Sequence, residues 1–159
     1  MQKPTIYLDT SVLGGCFDAE FAPWSKGLMK DIRLGHYRPV LSELIATELE
    51  NAPEKIRDIY AALIDERAEI LCITDEVLDL VQAYGRHKIL GLKFKNDMMH
   101  IALATVRGVD LLVSWNFKHI VHFDKIRQFN AVNVAMGYKM VAIYSPREVT
   151  NYGQENSDD

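Results

Sequence analysis

The stretch TIYLDTSVLGG, Thr5 to Gly15, begins as a buried strand and then stops on a charge. Ile6, Tyr7 and Leu8 are β-favouring and apolar enough to be covered on both faces. Asp9 follows at once, then two hydroxyl residues, Thr10 and Ser11, and an apolar turn with a glycine pair. Burying an unpaired carboxylate is costly. An acid at the end of such a strand therefore asks for a reason.

Working outward, strand-like runs recur at 37–41, 69–73, 111–115 and 139–143, and helical patterns fill 22–34, 43–51, 54–67, 75–86 and 97–107. This alternation predicts an α/β fold of three layers, with helices covering both faces of a central, mostly parallel twisted sheet of about five strands. Ligands of such sheets sit at the carboxyl ends of the strands, near a topological switch point. Asp9 closes the first strand and so points at that crevice. One domain is expected over 1–150, followed by a polar, acidic and frayed tail at 151–159.

The bulk properties narrow the function classes. With 18 Lys and Arg against 22 Asp and Glu, the net charge is −4, so any polyanion site must be a local basic patch. Cys16 and Cys72 lack metal-type spacing and read as buried free thiols of a reducing cytosol. No secretory h-region and no apolar run near the ~20 residues of a membrane span is visible, so a cytoplasmic protein without membrane contact is expected.

Three further segments offer partners for Asp9. In SELIATELENA, at about 100° per residue, Leu44, Ile45, Leu49 and Ala52 form one stripe. Glu48 falls inside it, whereas Glu43 and Glu50 fall outside. Glu48 is thus either a functional acid or one that lies at the stripe's end and snorkels or pairs with an arginine. In KNDMMHIALATVRG, Asn96 reads as an N-cap and Asp97 as a first-turn acid, which the helix dipole favours whatever the function. Helices covering a parallel sheet run antiparallel to its strands, so this N-terminus lies at Asp9's edge. In DLLVSWNFKHIVHF, Ser114 and Asn116 close a strand at the same edge, while Asp110 lies at the opposite one. His119 and His122, three apart and without nearby carboxylates, do not make a zinc site.

These pieces, YLDTSVL, SELIATELE, NDMMHIALA and LLVSWNFKHI, resemble in order and separation the motifs of the PIN-domain family, the fold of VapC-type toxins and related ribonucleases. The resemblance spans roughly Ile6 to Val121. It implies that Asp9, Glu48 and Asp97 bind Mg²⁺ or Mn²⁺ in a shared pocket, with Ser11 and Ser114 in support. Asn116 stands where the family usually has a fourth aspartate, two residues after a Thr or Ser, and is the fourth catalytic candidate, its amide able to ligate a metal through oxygen or orient a metal-bound water. The implied activity is a metal-dependent endoribonuclease leaving 5′-phosphate products, a possible toxin with an antitoxin partner and a homodimeric state. The chemistry suits the residues: Mg²⁺ prefers oxygen ligands and keeps several waters, and the cation relieves carboxylate repulsion.

For RNA contacts, RHKILGLKFK supplies Arg86, Lys88, Lys93 and Lys95, with Phe94 available to stack on a base, and Lys118 adds charge nearby. The plain alternative is a solvated loop. Phe17, Phe21, Trp24, Leu28 and Met29 form an aromatic and apolar stripe that reads first as core and second as a partner surface. Among rival classes, a phosphohydrolase would need an acid two residues after Asp9, where Ser11 stands. A receiver domain would need adjacent acids at the first strand and a lysine ending the last. The serious rival is a degenerate PIN fold that binds RNA or protein without cutting, which Asn116 alone supports.

Overall fold

The computed structural model describes residues 2–153. Five strands form one sheet: β1 (Thr5–Leu8), β2 (Arg38–Ser42), β3 (Glu69–Leu71), β4 (Leu111–Val113) and β5 (Ile143–Tyr144), in the order β3-β2-β1-β4-β5. Every neighbouring pair is parallel, with Ile6 opposite Pro39 on one side and Leu111 on the other. The chain builds outward from β1 to β3, then returns to place β4 on β1's other side. The topological switch therefore lies between β1 and β4.

The helices are α1 (Thr10–Gly15), α2 (Ala22–Arg33), α3 (Glu43–Glu48), α4 (Glu54–Asp65), α5 (Asp75–Arg86), α6 (Lys95–Arg107), α7 (Phe123–Ala135) and α8 (Pro146–Val149). α1 packs on α2 and α4, and α2 on α8; α5 packs on α6 and α7. The sheet is thus sandwiched in three α/β/α layers. Ile6, Tyr7 and Leu8 are fully buried, as a doubly covered central strand requires.

Several sequence expectations need correction. The segment after Asp9 is a helix rather than an apolar turn, because Asp9 itself caps it, accepting from the Val12 N–H. α6 begins at Lys95 with no side-chain cap, so Asn96 lies within its first turn. α7 was hidden because Asn130 and Asn133 sit buried on its inner side. The expected strand at 139–143 shrinks to Ile143–Tyr144, since the Asn130 amide takes both the N–H and the C=O of Val141. Cys72 is exposed, whereas burial pushes the Cys16 thiol up to about 11.

The expected tail divides. Asn151 donates its N–H to Asp31, and Tyr152 packs edge-on against Trp24; residues 154–159 lie outside those described. Among the described residues no helix is long and apolar enough to cross a membrane.

Candidate active site

The parallel sheet delivers Asp9 and Ser114 to the same edge, because β1 and β4 are neighbours that end together at Leu8 and Val113. The Ser114 hydroxyl donates to Asp9 Oδ2 at 2.6 Å. Ser11, in the first turn of α1, donates to Asp9 Oδ1 at 2.6 Å and accepts the Trp115 N–H at 2.9 Å. Asp9 is only 4% exposed, and burial raises its carboxyl above the usual range. His100 and the Ser11, Ser114 and Val12 hydrogen bonds oppose that rise without cancelling it. No cationic side chain hydrogen-bonds Asp9 among the described residues.

Glu48 is the last residue of α3, and its side chain is 26% exposed, so it sits at the end of the apolar stripe rather than within it. Its partner is a histidine, not an arginine: His100 Nε2 lies 2.7 Å from Oε1, and the Thr10 hydroxyl donates to the same oxygen at 2.7 Å. Burial pushes the Glu48 carboxyl up, but His100 and Thr10 outweigh it and leave the group below its usual value. Asp97, in the first turn of α6, has its Oδ2 2.8 Å from His119 Nδ1. The carboxylate that His119 lacked in sequence comes from 22 residues away.

Asn116, the fourth catalytic candidate, also serves the backbone around it. Its amide oxygen accepts the N–H groups of Lys118 and His119 at 3.2 and 2.9 Å, capping the turn that carries His119. With the oxygen so engaged, the free end of the amide is an NH₂ donor, which cannot ligate a cation. Its own N–H donates to Ser114 Oγ at 2.9 Å.

These contacts close a circuit. It runs from Asp9 through Ser114, Asn116 and His119 to Asp97, along one turn of α6 to His100, then through Glu48 and Thr10 back to Asp9. All four segments singled out in the sequence thus meet at one edge. His100 and Thr10 were missed; the available signal was that His100 stands three residues after Asp97, on the same helical face.

The basic residues divide. Lys93 and Lys95 flank the start of α6, and Lys118 lies in the turn that Asn116 caps; all three are exposed. Lys88 instead lines a cavity with Ala131, Val132 and Ala135, along the second half of α7, and Arg86 ends α5 just before it. Both lie away from the circuit. Phe94 is half-buried with its ring 4.0 Å from that of His119, so it supports this histidine instead of standing free for a base. Of the aromatic stripe, Leu28 and Met29 are core and Phe21 stacks on Trp115 at 4.2 Å, leaving Phe17 exposed.

A hard divalent cation fits this donor set. The three acids offer only oxygen, are held by hydroxyls, imidazoles, the Val12 N–H and the Asn96 side chain, and include one carboxyl that burial raises. Among the described residues, no three His, Cys, Asp or Glu side chains are grouped closely enough to hold an ion unaided. The fit is accordingly to an ion that keeps waters and shares phosphate oxygens, as Mg²⁺ does, not to a closed protein cage.

A family model described as the PIN domain matches residues 6–130. Among solved structures, the chain is similar to FitAcB from Neisseria gonorrhoeae, at 15% identity and a TM-score of 0.57, over 91% of this chain and 100% of that one. It is similar to VapBC2 from Rickettsia felis bound to a promoter DNA fragment, at 15% identity and a TM-score of 0.55, over 89% and 98%. A toxin–antitoxin complex from Klebsiella pneumoniae follows at 16% identity and a TM-score of 0.53, over 72% and 88%. At these identities the likeness is one of fold. No curated protein matches the chain.

Proposed function

The chain belongs to the PIN-domain family, and from that premise we propose that it is a Mg²⁺- or Mn²⁺-dependent endoribonuclease, the toxin of a toxin–antitoxin pair. The observation that carries this reading is the closed circuit joining Asp9, Glu48 and Asp97 at the switch point of the sheet. The bound cation would supply Lewis-acid polarisation of a phosphoryl oxygen and a water of lowered pKa.

The chain's own residues do the rest. Ser11 and Ser114 fix the buried Asp9 carboxylate, His100 and Thr10 fix Glu48, and His119 fixes Asp97. The Asn96 side chain also hydrogen-bonds Glu48, and at Asp97 it is Oδ2 that His119 holds. Lys93, Lys95 and Lys118 hold the RNA backbone beside these acids. An antitoxin is a proposed protein partner, in line with the toxin–antitoxin complex named among the structural neighbours, and a second copy of the chain is proposed as well.

One observation favours a second reading, a PIN fold that binds RNA without cutting it. Asn116 supplies no fourth carboxylate, and its oxygen is spent on a turn. Cleavage of a panel of structured RNAs with Mn²⁺ and with EDTA, using Asp9→Asn as control, separates the two. The enzyme reading expects cleavage that needs Mn²⁺ and vanishes in the variant. Binding without cleavage supports the second reading.

A further inference from the structure

Beneath Glu48 a file of polar side chains runs into the core. Ser42, Tyr7 and His100 are 0%, 0% and 2% exposed. The Tyr7 hydroxyl lies 2.8 Å from Ser42 Oγ and 2.7 Å from His100 Nδ1, and His100 Nε2 reaches Glu48 Oε1 at 2.7 Å. Three buried polar groups are a costly way to fill space that a Phe and a Leu would fill. Their only outlet is the carboxylate.

The chemistry of the end groups fixes the direction of the file. A carboxylate at Glu48 only accepts, and His100 Nε2 is the atom that faces it. A neutral His100 must then carry its proton on Nε2 and donate it to Glu48. Its Nδ1 accepts from the Tyr7 O–H, whose oxygen accepts from Ser42. Among the described residues no buried side-chain polar atom lacks a partner.

We infer that Tyr7 and His100 are positioning residues for the metal site: the Tyr7 hydroxyl fixes His100 as the Nε2–H tautomer, and that proton holds Glu48 by Oε1 so that Oε2 is presented to the cation. α3 needs such a hold, because it is only six residues long and Glu48, its last, is otherwise met by two small polar side chains, Thr10 and Asn96. The inference rests on the proposed role of Glu48 as a ligand.

Tyr7→Phe keeps the ring and removes the hydroxyl. Long-range ¹⁵N–¹H spectra of the wild type should show the Nε2–H tautomer at His100, and Tyr7→Phe should lose that bias. Mn²⁺ affinity, read by calorimetry without RNA, should fall about tenfold in Tyr7→Phe, on the scale of lost groups that orient ligands. The fall should vanish in a Glu48→Gln background, since Tyr7 acts only through Glu48. An Nδ1–H tautomer in the wild type overturns the inference with no variant needed. An equal fall in both backgrounds overturns it too, because the hydroxyl would then be merely structural. A wild type that binds no Mn²⁺ yet shows the Nε2–H bias, lost in Tyr7→Phe, removes the cation reading and keeps the hold on Glu48.

Discussion

At Asp9, burial and ionisation work against each other. Its carboxyl is raised in the folded protein, so from the ordinary carboxylate range up to its raised value the folded state binds more protons than the unfolded chain. Stability of the metal-free protein must fall as pH rises through that window. Glu48, whose carboxyl is lowered, acts with the opposite sign and at lower pH: its contribution is lost on acidification through its folded value. Asp9→Asn removes the first effect alone. We expect the metal-free variant to be more stable than the wild type at neutral pH, by about 1–3 kcal/mol of relieved burial cost, and to lose the decline with rising pH. Thermal melts across pH with EDTA present check this. Asp9, Glu48 and Asp97 were legible in sequence because strand ends, stripe positions and helix starts can be counted along the chain. His100 was not, because Tyr7, its core partner, stands 93 residues away.

The adjacent glycines of α1 make a test at the scale of the element. A Cβ on Gly15 would lie 2.6 Å from both Ser25 Oγ and Trp115 Nε1, which are hydrogen-bonded to each other at 2.8 Å. One on Gly14 would meet nothing within 4 Å. Gly15→Ala should therefore destabilise by roughly 1–3 kcal/mol and disturb Trp115, whose N–H holds Ser11. Gly14→Ala should stabilise by up to about 1 kcal/mol. Chemical denaturation of the two variants decides it; equal shifts would mean that α1 is not pressed against α2 as described. The glycine pair was visible in sequence, but which member touches a neighbour depends on Ser25 and Trp115. α7 was invisible for a related reason: the amide groups that break its apolar stripe are spent inside the core, where Asn133 accepts from Tyr84 and Asn130 holds Val141.

Over the whole molecule, an acidic chain of net charge −4 gathers Lys93, Lys95 and Lys118 beside its acidic edge. If RNA docks there, converting all three to Glu should weaken its binding and flatten the dependence of affinity on salt, whereas Arg86→Glu with Lys88→Glu should do far less. Binding isotherms at several ionic strengths distinguish the two sets. The three-layer parallel sheet was readable from alternation of runs; the strand order was not, since it depends on which strands pair with β1. The division of the basic residues was not, since it depends on how residues 87–91 lie against α7.

The central claim is that the edge where β1 and β4 end holds a divalent cation between distant acids. The most direct measurement is the anomalous scattering of Mn²⁺ soaked into crystals of the protein. The account predicts a peak at about 2.1 Å from a carboxylate oxygen of Asp9 or Asp97, with Glu48 in the ion's first or water-bridged shell, and its loss in Asp9→Asn. A peak elsewhere on the chain, or one that persists undiminished in the variant, would contradict it.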